Sequence, residues 1–346
     1  MPKPQLHNFQ SSFTTESGVE IQQPQIAHRS WGELNEAKDN VVFICHALTG
    51  NTDADVWFGG LIGPGKALDP DKHFIICPNI LGSCYGTTGP TSINPKTGKT
   101  WQADFPEITI RDIVRFNQKL LDDLKITEIE LVIGGSLGGM TALEFAIMDE
   151  RVQRTALFAM GKSHTPWAIG ISEAQRMAIY ADEFWNDGFY DEEHPPKKGL
   201  AAARAMAMIT YRTPENYQQK FGRELHSKNE IYQVESYLNY QGDKLVHRFD
   251  ANAYITLTKA MDSHDVSRDR GSFDSVLSGL TKPVLIVGFD SDKLYPIEEQ
   301  RELAELIPHS QLAEIKSPYG HDAFLIEFDQ LNVELTKFSH SLTEAK

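Results

Sequence analysis

In this chain of 346 residues, the side chains with the most chemistry are a serine set among glycines, a pair of late aspartates and a histidine near the end. Gly134-x-Ser136-x-Gly138 stands between an apolar alternating run, Ile129 to Ile133, and a breaker-poor stretch from Thr141 to Ala146 of helical composition. Strand, tight turn and helix in that order put the serine at the tip of a strained turn, where its hydroxyl is presented as a nucleophile. The glycines let strand and helix approach without a Cβ clash. A helix starting just after the serine aims its N–H groups and positive dipole end at charge forming on a substrate oxygen, and the Leu137 N–H is the first such donor. A glycine-rich βα turn of any doubly wound sheet has the same local pattern. A nucleophile further demands an acid and then a histidine downstream.

Both follow, in that order. Val284 to Phe289 has strand character, and Asp290 and Asp292 stand just past its carboxyl end; spacing does not choose between them. Gly320-His321-Asp322 forms a turn after Glu314-Ile315 and leads into Ala323-Phe324-Leu325. A histidine there can take the serine proton while the aspartate holds its tautomer. Upstream, Val41 to Cys45 is a continuous apolar run of the kind covered on both faces, ending in His46-Ala47-Leu48-Thr49-Gly50-Asn51. In an α/β-hydrolase the loop at this place supplies the second oxyanion donor, here the Leu48 N–H. His46 reads as a structural hydrogen-bonder.

The elements that must position these residues follow the same fold. Phe74 to Pro78 reads as another buried strand, followed by a breaker-rich loop from Asn79 to Pro90 at the strand end where open sheets place their sites. Thr109 to Leu124 has helical spacing with a capping threonine, and Arg154 to Met160 reads as the next parallel strand. The first forty residues, for example Gly18 to Ile21, suggest antiparallel strands at the sheet edge. From Lys162 the pattern changes to Ala- and Met-rich helices without buried strands, up to about Asp265. The expected architecture is an α/β-hydrolase fold: a mostly parallel sheet with helices on both faces, built from residues 1–161 and 266–346, with a helical lid at 162–265. The Met and Ala stripe over Ala201 to Met208 reads as packing, part of it facing a partner subunit.

Composition narrows the partners. An apolar content of 40% supports a sizeable core, and 33 basic against 48 acidic residues give a formal charge of −15, which argues against nucleic acid. Cys45, Cys77 and Cys84 lack metal-ligand spacing and fit a reducing compartment; Cys84 reads as a small buried residue rather than a reactive thiol. Met1 to Gln10 holds no apolar signal core, and no run approaches the ~20 apolar residues of a membrane span. The expectation is a cytoplasmic protein with no metal and no membrane contact.

Longer stretches resemble the homoserine O-acetyltransferase family over nearly the whole chain. They include His46 to Asn51, Leu61 to Asp69, Asn79 to Pro90, Asp104 to Asp112, Gly134 to Met140, Tyr211-Arg212, Phe221-Gly222-Arg223, Arg248 to Tyr254, Ser291 to Pro296 and Gly320 to Leu325. The resemblance implies Asp292 as the acid, Arg212 and Asp322 as ligands of the amino-acid substrate, acetyl-CoA as donor and L-homoserine as acceptor, in methionine biosynthesis. It implies no permanently bound cofactor, and a homodimer joined through lid helices. The lid departs from the family over Trp167 to Arg176, which keeps Gln175-Arg176 without the expected Trp-Asn before it. Family members also transfer succinyl groups or use serine. A succinyl carboxylate needs a cation near Ser136, and the loops flanking Leu48 and Ser136 hold none; Lys66, the nearest in sequence, belongs to a shared motif. Acetyl is therefore expected. A hydrolase with the same three residues is the alternative.

Overall fold

In a computed structural model, which describes residues 4–226 and 230–340, the strands are β1 (Gln5–Asn8), β2 (Phe13–Thr14), β3 (Glu20–Ile21), β4 (Gln25–Trp31), β5 (Val41–Cys45), β6 (Phe74–Pro78), β7 (Leu131–Gly135), β8 (Thr155–Phe158), β9 (Val284–Phe289) and β10 (Ser310–Ile315). Eight of them form one sheet in the order β1-β4-β6-β5-β7-β8-β9-β10. Pairing is parallel from β6 through to β10 and antiparallel for β1 and β4. Strands β5, β7, β8 and β9 are buried at every residue, as their unbroken apolar runs require, because helices cover both faces.

The helices are α1 (Ala54–Trp57), α2 (Ile110–Asp123), α3 (Leu137–Met148), α4 (Pro166–Tyr180), α5 (Lys197–Thr210), α6 (Pro214–Phe221), α7 (Gln233–Val246), α8 (Ala251–Asp262), α9 (Phe273–Leu277), α10 (Ile297–Leu306) and α11 (Phe328–His340). Strand alternation divides the core in two. Val41, Phe43, Val132 and Leu157 pack with Ile113, Phe116 and Leu120 of α2 and Leu143 of α3. Val42, Ile44, Ile133 and Phe158 pack on the opposite face with Phe58 and with Leu331, Leu335 and Phe338 of α11.

After β5 the chain passes to β6 on one side and then returns to β7 on the other, so β5 and β7 lie side by side with Cys45 opposite Gly134. That reversal opens a crevice at their carboxyl ends. Helix α3, which follows the serine, is pinned by Glu144, 1% exposed, whose carboxylate meets Arg111 of α2 at 3.4 Å and Arg270 at 2.7 Å. Burial raises the Glu144 pKa while the two guanidinium groups pull it down.

Between β8 and β9 the chain runs through α4 to α8 and returns at a neck where His164 N–H donates to His264 O (2.8 Å) and Val266 N–H to Lys162 O (3.2 Å). Thr165 before Pro166 and Thr213 before Pro214 cap α4 and α6 with their side chains, the pairing of a capping hydroxyl with proline at the first helical position. Helices α5 and α7 pack closely because Gly242 of α7 has no side chain; a Cβ there would fall 2.9 Å from Ala201.

One expectation needs correction. Residues 18–21 do not join the sheet edge: β3 pairs with β2 in a separate two-stranded ribbon, turned at Gly18 with φ +82°. Ile21 and Phe13 instead bury themselves against Phe116 and its neighbours, while β1 and β4 form the antiparallel edge.

Candidate active site

Ser136 sits between β7 and α3 with φ +56° and ψ −127°, a left-handed conformation that an L-residue holds only when its surroundings enforce it. The enforcement is visible. Ser136 N–H donates to Phe158 O (3.0 Å) and Met140 N–H to Ser136 O (3.0 Å). A Cβ at Gly134 would lie 2.3 Å from Gly138 O, and one at Gly138 would lie 2.1 Å from Cys45 O. Glycine at these two places is therefore what lets the turn back onto the end of β5. Ser136 is 6% exposed, and Leu137, as the first residue of α3, has no intrahelical acceptor for its N–H.

Of the two aspartates, Asp292 reaches the histidine. Its Oδ2 lies 2.8 Å from His321 Nδ1, and its Oδ1 accepts the N–H groups of Leu294 (2.8 Å) and Tyr295 (3.0 Å). Asp290 is exposed and accepts from Ser317 N–H at 3.1 Å. The His321 ring is 3% exposed and walled by Tyr295 (5.2 Å between centroids), Phe324 (5.4 Å) and Tyr211 (5.5 Å). Phe324 also lies against the serine turn, since a Cβ at Gly135 would fall 2.6 Å from its ring. The structure thus brings the elbow, Asp292 and His321 into one packed unit. Behind it, Glu299 of α10 is pushed up to about 7, first by burial and then by the charge of Asp292, so below that pH it faces Asp292 as a neutral acid.

Leu48 occupies the second position of a turn closed by Gly50 N–H donating to Ala47 O at 2.8 Å. His46, fully buried, supports that turn: Nδ1 donates to Ala47 O (2.9 Å), and Nε2 accepts from Ile80 N–H (3.2 Å) beside the Asn79 amide. Burial pushes the His46 pKa down to about 4, so the ring is neutral, in agreement with its reading as a structural hydrogen-bonder.

Arg212 and Asp322 are brought together, and they meet each other. Arg212 Nε is 2.8 Å from Asp322 Oδ2, an ion pair whose N–H direction is off line. The backbone is joined at the same point, with Asp322 N–H donating to Tyr211 O (3.0 Å) and Thr213 Oγ1 to Pro318 O (2.9 Å). Burial raises the Asp322 pKa against the pull of Arg212, His321 and Arg204. Two lid arginines escaped the sequence reading of the site. Arg204 of α5 lies over the Tyr211 ring, 5.7 Å from its centroid, and the same ring is 5.5 Å from that of His321. Arg248 reaches the Leu48 loop, donating to Thr49 O at 2.7 Å. The loops flanking Leu48 and Ser136 hold no cation of their own, but the lid brings one, across 199 residues of sequence.

Comparison with known proteins identifies the fold and the family. Residues 40–328 match the α/β hydrolase fold family. The homoserine O-acetyltransferase of Chlorobium chlorochromatii (strain CaD3) is 53% identical over 345 residues, 99% of this chain and 96% of that protein. The chain belongs to the homoserine O-acetyltransferase family. Among solved structures, the homoserine O-acetyltransferase of Bacillus anthracis superposes with a TM-score of 0.91 at 28% identity, covering 98% of each chain. Esterase E22 gives 0.88 at 25% identity, covering 97% of this chain and 99% of that one. The same scaffold is therefore shared by family transferases and by an esterase.

Among the described residues no group of three or more His, Cys, Asp or Glu side chains is arranged to hold a metal ion, and no helix is long and apolar enough to cross a membrane. Cys84 is half-buried rather than fully buried as expected; its Sγ lies 3.9 Å from Arg248 O, and burial pushes its thiol up to about 12. A thiol held protonated at neutral pH is a poor nucleophile.

His46 yields a pH test. Its native pKa of about 4 lies below the ordinary 6.5, so between these values the unfolded chain binds a proton that the native state refuses. Stability from neutral His46 is full above pH 6.5 and is lost as pH falls toward 4. Replacing His46 with Gln should shrink the difference in unfolding free energy between pH 7 and pH 5 by about 2 kcal/mol, read by urea titration. An unchanged pH dependence would contradict the buried neutral assignment.

Proposed function

We propose that the protein acetylates the hydroxyl of L-homoserine from acetyl-CoA through an acetyl-Ser136 intermediate, a step of methionine biosynthesis. The observation that carries this reading is the 2.8 Å Asp292–His321 contact packed behind an elbow serine in a chain 53% identical to a named homoserine O-acetyltransferase. His321 takes the Ser136 proton as Oγ attacks the thioester carbonyl, and Asp292 stabilises the imidazolium. The N–H groups of Leu48 and Leu137 hold the tetrahedral oxyanion, each lowering the barrier by about 3 kcal/mol. CoA leaves as its thiol with the proton from His321. His321 then takes the homoserine hydroxyl proton, the alkoxide attacks the acetyl-serine, and Ser136 recovers its proton.

Transfer in place of hydrolysis requires a placed acceptor and little water. We assign the homoserine carboxylate to Arg212 and its ammonium to Asp322. The zwitterion then adds its two charges alongside an existing ion pair, each end meeting its opposite. Residues 1–161 and 266–346 act as the core and 162–265 as the lid that covers the acceptor. Acetyl-CoA is a substrate here, with no cofactor bound permanently, and the cytoplasm is the compartment that supplies it. A hydrolase is the second reading, favoured by the fold shared with esterase E22.

Lid apolar side chains left exposed, among them Trp167, Met177, Met206, Ile209 and Tyr240, support a homodimer joined through lid helices.

Incubation with acetyl-CoA should acetylate the native protein once by intact mass and the Ser136→Ala variant not at all, and rapid CoA release should need L-homoserine. Release without acceptor at the same rate identifies a hydrolase. Arg212→Ala should slow deacetylation by homoserine by about 2–3 kcal/mol of barrier while sparing acetylation; equal losses would remove Arg212 from the acceptor site. Light scattering should give a dimer at micromolar concentration, and a monomer would refute the lid interface.

A further inference from the structure

The turn that presents the Leu48 N–H is gripped from two sides, and one grip comes from the lid. His46 holds Ala47 O from the core, as described. From the other side Arg248, in the short segment between α7 and α8, donates through Nη1 to Thr49 O (2.7 Å) and to Tyr85 Oη (2.6 Å), with Nη2 3.5 Å from Thr49 Oγ1. Among the described residues Arg248 makes no ion pair, so its directed contacts go to this loop and to the tyrosine beside it. Its backbone is held in place. Phe249, 6% exposed, packs edge-on against Tyr85 (5.7 Å) and Tyr254 (6.2 Å), and Asp250 caps α8 by accepting Ala253 N–H at 2.8 Å. A planar guanidinium on a fixed stem sets the direction of the carbonyl it binds better than a flexible ammonium does.

We propose that Arg248 is a positioning residue for the oxyanion hole: seated with the lid, it fixes the Ala47–Gly50 turn so that the Leu48 N–H points at the developing oxyanion. It couples lid position to the Leu48 donor of the hole, since a lid lifted from Thr49 removes the guanidinium contacts and leaves the turn with His46, its own Gly50–Ala47 hydrogen bond and the packing of Leu48. The inference rests on the serine acyl-transfer reading but not on the identity of the acceptor. Because both half-reactions pass through a tetrahedral oxyanion, a positioning residue must affect both. A residue that binds the CoA phosphates affects acetylation by acetyl-CoA alone, chiefly through half-saturation.

The test compares Arg248→Met, Arg248→Lys and Tyr85→Phe with the native protein in single-turnover acetylation by acetyl-CoA and by p-nitrophenyl acetate, and in deacetylation by L-homoserine. Arg248→Met should slow all three steps by about tenfold or more, with acetyl-CoA half-saturation within about twofold of native, and Arg248→Lys should recover part of the loss. Tyr85→Phe, which removes one acceptor of the guanidinium and leaves the chain's packing, should slow the same three steps by a smaller factor; it carries the test if Arg248→Met does not fold. Normal rates with p-nitrophenyl acetate and a raised half-saturation for acetyl-CoA would overturn the proposal in favour of a CoA contact, and unchanged rates throughout would overturn it outright. A native protein that is acetylated by p-nitrophenyl acetate yet transfers nothing to homoserine would refute the acceptor reading while leaving the acetylation comparison decisive for Arg248.

Discussion

The close approach of the Ser136 turn to the end of β5 is the constraint on which the rest of the site depends. Gly138 lies so near the Cys45 carbonyl that no side chain fits, and Ser136 is held at φ +56° between the Phe158 carbonyl and the start of α3. Strain of this kind costs roughly 1–3 kcal/mol and survives only where the surroundings over-determine it. Here they do, through strands buried on both faces, a helix anchored by Glu144 between two arginines, and a neighbouring strand end that supplies the opposing loop. One close contact thus places Ser136 and brings the start of α3 against the end of β5, where the Leu48 loop begins.

Burial then decides the electrostatics. Asp292 is 2% exposed and accepts two backbone N–H groups besides the contact with His321, which compensates a carboxylate removed from water. Two further acidic groups nearby have identifiable surroundings. Glu299 is pushed up to about 7 because it is buried beside the charge of Asp292, and burial raises Asp322 against the pull of Arg212, His321 and Arg204. In a chain of charge −15 the local placement still brings Arg212, Arg204 and Arg248 beside the loops of His321 and Leu48, so the average sign does not describe this region.

The insertion between β8 and β9 is joined to the loops of the site at several points, among them the Trp167 indole N–H on Lys293 O at 2.8 Å, next to Asp292. Tyr211 to Thr213 is stitched to the histidine loop through Asp322 N–H, Thr213 Oγ1 and the Arg212–Asp322 pair, and Arg248 is stitched to the Leu48 loop. Within the insertion α4 packs on α5 and α5 on α7, so these helices cannot shift against the sheet without breaking the contacts to the His321 and Leu48 loops.

Local sequence determined the strands that are continuous apolar runs, Val41–Cys45 and Phe74–Pro78 to the residue, the capped helix after Thr109, and the elbow around Ser136, because apolar period, capping residues and glycine spacing act over a few neighbours. Residue order made Ser136 and His321 candidates, but spacing could not choose between Asp290 and Asp292, which family resemblance did; in space the turn after β9 buries one carboxylate toward His321 and leaves the other in water. Tertiary structure also decided that Gly18–Ile21 leaves the main sheet, that Arg212 and Asp322 meet, and that Arg204 and Arg248 reach the site from the lid. Each of these depends on contacts between segments far apart in the chain, and pairings of that range follow from how the lid seats on the sheet, which no local pattern of residues encodes.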